Sequence, residues 1–111
     1  PSSAAVIQGI AGECAVEFTT RFPAIMDVHE YQTAKLQFEN KEKVSALLAA
    51  FKVSGKIRSE RFEFFGTHSV WTVRFASEDS YREWMKVTEE VESHWDDRRN
   101  AAGFVLSIKR V

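Results

Sequence analysis

Residues 56–75 read KIRSERFEFFGTHSVWTVRF, and this stretch decides the predicted fold. Apolar and polar side chains alternate on both sides of a short segment at 66–68 that contains a glycine. Alternation with a period of two, interrupted by such a segment, is typical of two half-buried strands joined by a hairpin turn. We therefore predict strands at about 56–65 and 69–76.

Strand phase predicts which of the hairpin's side chains are buried. On the second strand, Trp71 and Phe75 share a face that is far more apolar than the opposite face, which carries Arg74. Because side chains alternate strictly along a strand, both rings are expected to face the core. The same reasoning places Phe62 inward and Phe65 outward on the first strand.

Two further strands and a helix are predicted on the N-terminal side of the hairpin. The segments ECAVEFTTRF at 13–22 and YQTAKLQFE at 31–39 both alternate, and each predicts a strand. Asn40 is a suitable N-cap, and the apolar residues that follow it keep a helical spacing up to Gly55. This spacing predicts a helix that ends before the glycine.

The C-terminal side of the hairpin predicts a second helix and a last strand. Ser77 can cap a helix whose apolar positions keep the helical period for at least four turns and which runs toward Gly103. The segment FVLSIKRV at 104–111 alternates and predicts a strand. Residues 1–12 are small and uncharged and predict a flexible leader, so that residues 13–111 form a single domain.

The order of elements predicts the fold class. From Tyr31 onward the elements are strand, helix, strand, strand, helix and strand. Two β-α-β units of this kind place both helices on one face of a four-stranded antiparallel sheet. We therefore expect an α+β, ferredoxin-like βαββαβ sandwich with an extra N-terminal strand and a long second helix.

Composition and charge limit the function classes. The chain has 111 residues, one cysteine and a net charge of −1, and its apolar runs are too short to span a membrane. The single cysteine and the lack of a secretory leader pattern predict an intracellular protein. Residues 77–97 hold eight acids and two bases, so the remainder is basic and can give one surface a positive potential.

Two segments of the sequence resemble an RNA recognition motif domain. These are LLAAFKVSGKIRSERF at 47–62 and VWTVRFASEDSYREWM at 70–85. The resemblance implies that RNA stacks on exposed aromatic residues of the first and third strands. No ring occupies the outward positions of those two predicted strands in this chain. Other ferredoxin-like families, including dimeric α+β barrels, share the same order of elements.

The predicted outward face of the sheet carries a basic residue on every strand. Candidate residues for contact with nucleic acid are Lys35, Arg61, Phe65, Arg74 and Lys109. Such a row of cations can contact phosphates, which supplies affinity without sequence specificity. It can equally form an ordinary polar surface or contact a protein.

A search for catalytic chemistry finds no recognisable site. His94 is flanked by Glu90 and Asp97 on one helix face, but the Glu-x-x-His and His-Glu-x-x-His spacings of metal sites are absent, and a charge network on the helix surface explains it better. His29 and His68 show no pocket for acid–base chemistry, and no glycine-rich phosphate loop or Gly-x-Ser-x-Gly turn occurs. We therefore expect no catalytic residue, no metal and no cofactor. Val91 and Trp95 lie one turn apart near the end of the long predicted helix and are candidate residues for contact with a partner.

Three hypotheses on function follow from these observations. The first is a non-catalytic binding module that engages a protein partner through the long helix or an open sheet edge. The second is binding of RNA or other single-stranded nucleic acid on the basic sheet face. The third is a small-molecule enzyme or ligand binder of the dimeric α+β barrel type, which predicts a homodimer. None of the three requires a membrane.

Overall fold

The computed structural model describes residues 12–111, which form four strands and four helices in the order β1-α1-α2-β2-β3-α3-α4-β4. The strands are β1 (Cys14–Arg21), β2 (Ile57–Phe64), β3 (His68–Phe75) and β4 (Val105–Arg110). The helices are α1 (Val28–Lys35), α2 (Lys41–Val53), α3 (Glu78–Val91) and α4 (Trp95–Ala101). The predicted leader lies almost wholly outside the described residues.

All four strands belong to one antiparallel sheet with the order β2-β3-β1-β4. The predicted α+β class is thereby confirmed. The hairpin of β2 and β3 forms as predicted, and so does helix α2, whose N-cap Asn40 accepts a hydrogen bond from the Lys43 backbone N–H. No helix among residues 12–111 has the length and apolar character that crossing a membrane requires.

The predicted strand at 31–39 is wrong, because its first half is helical. Asp27 and Glu30 form a capping box in which each side chain accepts a hydrogen bond from the other's backbone N–H, and this fixes the start of α1. Tyr31 and Phe38 are buried, whereas Leu36, which the strand pattern placed inward, is 60% exposed. The strand that was predicted as extra, at 13–22, is consequently β1, an inner strand of the four-stranded sheet.

The long second helix is also wrong, because it is divided into α3 and α4. The chain changes direction at residues 92–94, where His94 takes the left-handed backbone conformation with φ at 61°. Glu92 is buried at this break, and its Oε1 accepts a hydrogen bond from the backbone N–H of Asn40 at 2.9 Å. On the acidic face of one continuous helix, Glu92 would be exposed to solvent. In the structure its carboxylate is instead buried and also contacts Arg98.

Strand register places the side chains of the hairpin on the predicted faces, but Phe62, which was expected in the core, is 50% exposed because β2 is an edge strand. One face of the sheet, here called the inner face, places Cys14 opposite Phe75 and Val16 opposite Val73. Val16, Val73 and Phe75 have no exposed surface, and Trp71 lies on the same face opposite Phe18. The helices cover this inner face, while the opposite face is called the outer face below.

Two separate clusters of buried residues lie beneath the inner face. The first, at one end of the sheet, includes Phe18, Phe75 and Trp84 and is packed by α2 and α3. The second comprises Phe22, Tyr31, Phe38 and Phe104 and is packed by residues of α1 and α4. This second cluster lies at the end of β1 and the start of β4. A region of the inner face is therefore left between the two clusters.

Candidate ligand-binding cavity

The space between the two clusters is a cavity of about 310 Å³. Its floor is the inner face of the sheet at the position where Thr20 of β1 lies opposite Ser69 of β3. Along the same face the neighbouring pair is Phe18 and Trp71, and on the other side Phe22 of the second cluster follows Thr20. Two small side chains between rows of rings leave a depression, and the helices do not fill it.

Aromatic side chains make up a third of the residues that line the cavity. Seven rings line it, and they include all three tryptophans of the chain: Phe18, Tyr31, Phe38, Phe62, Trp71, Trp84 and Trp95. Several of them touch one another, with ring centroids 5.2 Å apart for Phe18 and Trp71 and 5.7 Å apart for Trp71 and Trp84. Such a wall presents flat, polarisable faces to whatever enters the cavity.

Four uncharged hydroxyl side chains line the cavity besides that of Tyr31, and several of the polar groups at the wall already have partners. Ser69 Oγ lies 3.4 Å from the hydroxyl of Tyr31, and Trp71 Nε1 donates to Glu60 Oε1 at 2.6 Å. Thr88 Oγ1 donates to a backbone carbonyl of its own helix at 2.8 Å. The Tyr31 and Ser69 hydroxyls keep capacity for a further hydrogen bond, because each oxygen has two lone pairs.

The charged groups of the wall carry an excess of carboxylates. Four acids line the cavity, together with two bases: Glu39, Glu60, Glu89 and Asp96, with Lys35 and Arg99. Lys35 pairs with Glu39 at 3.4 Å, and Arg99 pairs with Asp96. Arg99 is almost fully buried, and its guanidinium carbon lies 4.9 Å from the centroid of the Trp95 ring. These pairs leave two wall carboxylates without a basic partner from the wall.

The basic row predicted for the outer face is only partly assembled. Lys35 is at the end of α1, on the other side of the sheet, and lines the cavity. Arg61, Arg74 and Lys109 do lie on the outer face, where register brings them onto three different strands.

Each of these three cations has an acid beside it. Arg74 lies 3.4 Å from Glu13 and Arg61 lies 3.3 Å from Glu63, while Lys109 is the cross-strand neighbour of Glu17. The outer face is therefore a mixed surface in which basic residues only slightly outnumber acidic ones.

Aromatic residues are scarce on the outer face. Phe65 lies just beyond the end of β2, is 53% exposed and stacks on His68 with the ring centroids 4.8 Å apart. The described residues place no Phe, Tyr or Trp on the outer face of β1 or β3. The stacking platform that an RNA recognition motif requires is absent from those two strands.

The two residues predicted to contact a partner occupy different environments from those expected. Val91 is the last residue of α3 and is partly buried. Trp95 begins α4, packs against the second cluster and lines the cavity. Its Nε1 is buried and has no hydrogen-bond partner among the described residues. Trp95 is therefore a wall residue and not an exposed anchor.

The described part of the chain holds no group of three or more His, Cys, Asp or Glu side chains that could bind a metal ion. Cys14 is buried in the first cluster, and this burial raises the pKa of its thiol. A buried, protonated thiol is a poor nucleophile. Comparisons of this chain with protein-family models, with curated proteins and with solved structures found no match.

Proposed function

We propose that this protein is a binding module for a small, flat and largely apolar molecule, which it holds in the cavity between the sheet and the helices. The observation that carries the proposal is a cavity of about 310 Å³ lined by seven aromatic rings. Ligand sites in proteins have volumes of roughly 300–1,000 Å³ and combine mostly apolar walls with a few polar groups. The volume of this cavity lies at the lower end of that range, and eleven of its 21 lining residues are aromatic or aliphatic.

The size of the cavity gives an expected affinity for a simple probe. A one-ring hydrocarbon such as toluene would bury about 200 Å² of apolar surface, which is worth about 5 kcal/mol. After the cost of binding, small ligands gain a net of about 0.3–1.5 kcal/mol per non-hydrogen atom, and about 0.6 kcal/mol for each carbon of toluene gives a net gain of about 4 kcal/mol. A dissociation constant of about 1 mM is therefore expected for toluene. A larger natural ligand would bind more tightly.

The chain offers a direct readout of binding. It has three tryptophans and all of them line the cavity. In a ¹H–¹⁵N correlation spectrum the three indole N–H signals therefore report on this site alone. We expect toluene to shift these signals through the ring current of its own aromatic system, with saturation in the millimolar range.

A matched pair of variants tests whether the probe occupies the cavity. Thr20→Phe places a ring on the cavity floor, whereas Thr19→Phe places the same ring on the outer face of the same strand, beside Val70 and Ser107. Toluene should shift the indole signals in Thr19→Phe but not in Thr20→Phe. The proposal fails if the unaltered protein shows no saturable shift, or if Thr20→Phe responds as strongly as Thr19→Phe.

We also propose that the fold belongs to the ferredoxin-like class. In support, β1 and β2 both run antiparallel to β3, which lies between them, and are therefore parallel to each other. Likewise, β3 and β4 both run antiparallel to β1, which lies between them, and are therefore parallel to each other. Each parallel pair is joined through helices, as in two interleaved β-α-β units. The likeness to an RNA recognition motif is a proposal at the level of this fold.

A second candidate function is weak binding of nucleic acid or a protein partner on the outer face. Arg61 and Arg74 keep 73% and 51% of their side-chain surface exposed there. Arg74→Glu together with Lys109→Glu should abolish salt-dependent binding of single-stranded RNA if this surface contacts phosphates. Unchanged binding removes that candidate. A measured dimer mass would instead favour the outer face as a contact between two copies.

A further inference from the structure

We infer that the ligand of the cavity is a flat organic cation, of the class of N-alkylated nitrogen heteroaromatics such as pyridinium ions. The inference rests on the binding function proposed above and adds the charge of the ligand to it. Three features of the wall favour a cation: the kind of rings, the cations that already lie on some of them, and the excess of carboxylates.

The rings are of the kind that attracts cations. The face of an aromatic ring carries negative potential, and tryptophan gives the strongest attraction, followed by tyrosine. The cavity wall holds three tryptophans and Tyr31. Lys35 Nζ already lies 5.3 Å from the centroid of the Tyr31 ring, and the guanidinium of Arg99 lies over Trp95 and Phe38. These contacts show that positive charge is accommodated at this wall.

The remaining rings have no such cation from the protein. Among the described residues, no Lys or Arg side chain lies over Trp71 or Trp84, whose centroids are 5.7 Å apart. The Trp71 indole N–H donates to the Glu60 carboxylate at 2.6 Å. A negative acceptor on the N–H polarises the indole and makes its face more negative. Trp71 is therefore the strongest candidate for contact with a ligand cation.

Charge at the wall also favours a cation over an anion. Lys35 with Glu39 and Arg99 with Asp96 are balanced pairs, which leaves Glu60 and Glu89. Glu60 also contacts Lys52, but Lys52 does not line the cavity and its side chain is 47% exposed. Glu89 makes no ion pair with any residue of the described chain. An anionic ligand would approach Glu60 and Glu89, neither of which is paired with a cation that lines the cavity.

Three probes of nearly equal shape test the inference: toluene, the N-methylpyridinium cation and benzoate. All are titrated at low salt and followed by the three indole N–H signals. We expect N-methylpyridinium to bind about tenfold more tightly than toluene, because a cation on a desolvated ring gains up to about 2 kcal/mol. Benzoate should bind more weakly than toluene.

Glutamine variants separate the charge of the wall from its shape. Glu60→Gln keeps an oxygen that can accept the Trp71 N–H but removes the negative charge. It should weaken N-methylpyridinium binding by about fivefold and leave toluene binding within twofold. The matched control is Glu63→Gln, which removes a carboxylate from the outer face of the same strand and should change neither affinity.

The outcomes distinguish this inference from the function on which it rests. If toluene binds as tightly as N-methylpyridinium, the cavity still binds ligands but the assignment of a cation is overturned. If no probe binds, the proposed function itself fails. Equal loss of toluene and cation affinity in Glu60→Gln would indicate a change of shape, and it would overturn the role given to the Glu60 charge.

Discussion

Replacing Glu92, which follows the last residue of α3, with alanine should destabilise the protein more than the substitution of any charged residue within that helix. The Glu92 side chain is only 6% exposed, although it lies in the most acidic part of the sequence. Its Oε1 accepts the Asn40 backbone N–H at 2.9 Å, and its other oxygen contacts Arg98. Arg98 also reaches the carbonyl of Phe38 at 3.3 Å. One carboxylate thus connects the α3–α4 break to the start of α2.

The magnitude follows from the groups that lose their partner. An N–H left without an acceptor costs about 1–3 kcal/mol, and the lower end applies to Asn40 because that residue is exposed. Breaking a buried ion pair costs about 3–5 kcal/mol, but Arg98 is 41% exposed and can be hydrated in the variant. The sum is about 2–3 kcal/mol, a large part of a total stability of about 5–15 kcal/mol.

Urea unfolding measures this loss. With a slope of about 1.5 kcal/mol per molar urea, Glu92→Ala should lower the midpoint by about 1.5–2 M. Glu92→Gln keeps an acceptor for the Asn40 N–H and should lose about half as much. The matched control is Glu90→Ala, an exposed glutamate in α3, for which a change within about 0.5 kcal/mol is expected. Equal midpoints for the Glu92→Ala and Glu90→Ala variants would refute the reasoning.

Two further predictions concern a glycine and the cysteine. Gly103→Ala should lower the free energy of unfolding, measured with urea, clearly more than Gly55→Ala does. Both glycines have positive φ, but only at Gly103 would a Cβ lie 2.9 Å from Pro23. Equal losses of unfolding free energy in the two variants would contradict a role for that contact. Because burial raises the pKa of the Cys14 thiol, the folded state binds this proton more tightly than the unfolded state. The resulting stability is complete below the ordinary thiol pKa of 9.0 and is lost as the pH rises from there through the raised pKa of the folded state. Between pH 7 and 10 the unfolding free energy should fall more steeply for the unaltered protein than for Cys14→Ala, and parallel curves would contradict this.

Local sequence patterns correctly predicted the elements in which the hydrophobic period and the boundary residues indicate the same structure. The strand predicted at 13–22 is observed as β1 (Cys14–Arg21), and the helix after Asn40 is observed as α2 (Lys41–Val53). In both cases a single period fits the segment, and the boundary residues have clear chemical roles. The burial of Phe75 could also be predicted, because the two faces of its strand differ strongly in polarity.

The segment 31–39 was mispredicted because two periods fit it. Its alternation is compatible with a strand, but Tyr31, Ala34 and Phe38 also follow the spacing of one helix face. The preceding residues resolve the ambiguity, because Asp27 and Glu30 form the capping box that starts α1. The start signal in the four residues before the segment, from Asp27 to Glu30, was the information that the prediction left out.

The cavity could not be predicted from local patterns, because it depends on residues that are distant in the sequence. Thr20 and Ser69 become neighbours only through the register of β1 and β3. Each is an ordinary small residue within its own strand. Only their pairing, between rows of rings on the same face, produces the depression that the helices leave open.

The break at Glu92 joins the stability of the protein to the shape of the cavity. An unbroken helix over 78–101 would be about 36 Å long, well beyond the roughly 26 Å of an eight-residue strand. The break lets α4 turn back, so that Trp95 and Arg99 reach the cavity wall. Glu92 itself does not line the cavity, yet it fixes this turn through Asn40 and Arg98. Loss of its carboxylate should therefore weaken toluene binding as well as stability, whereas Glu90→Ala should change neither.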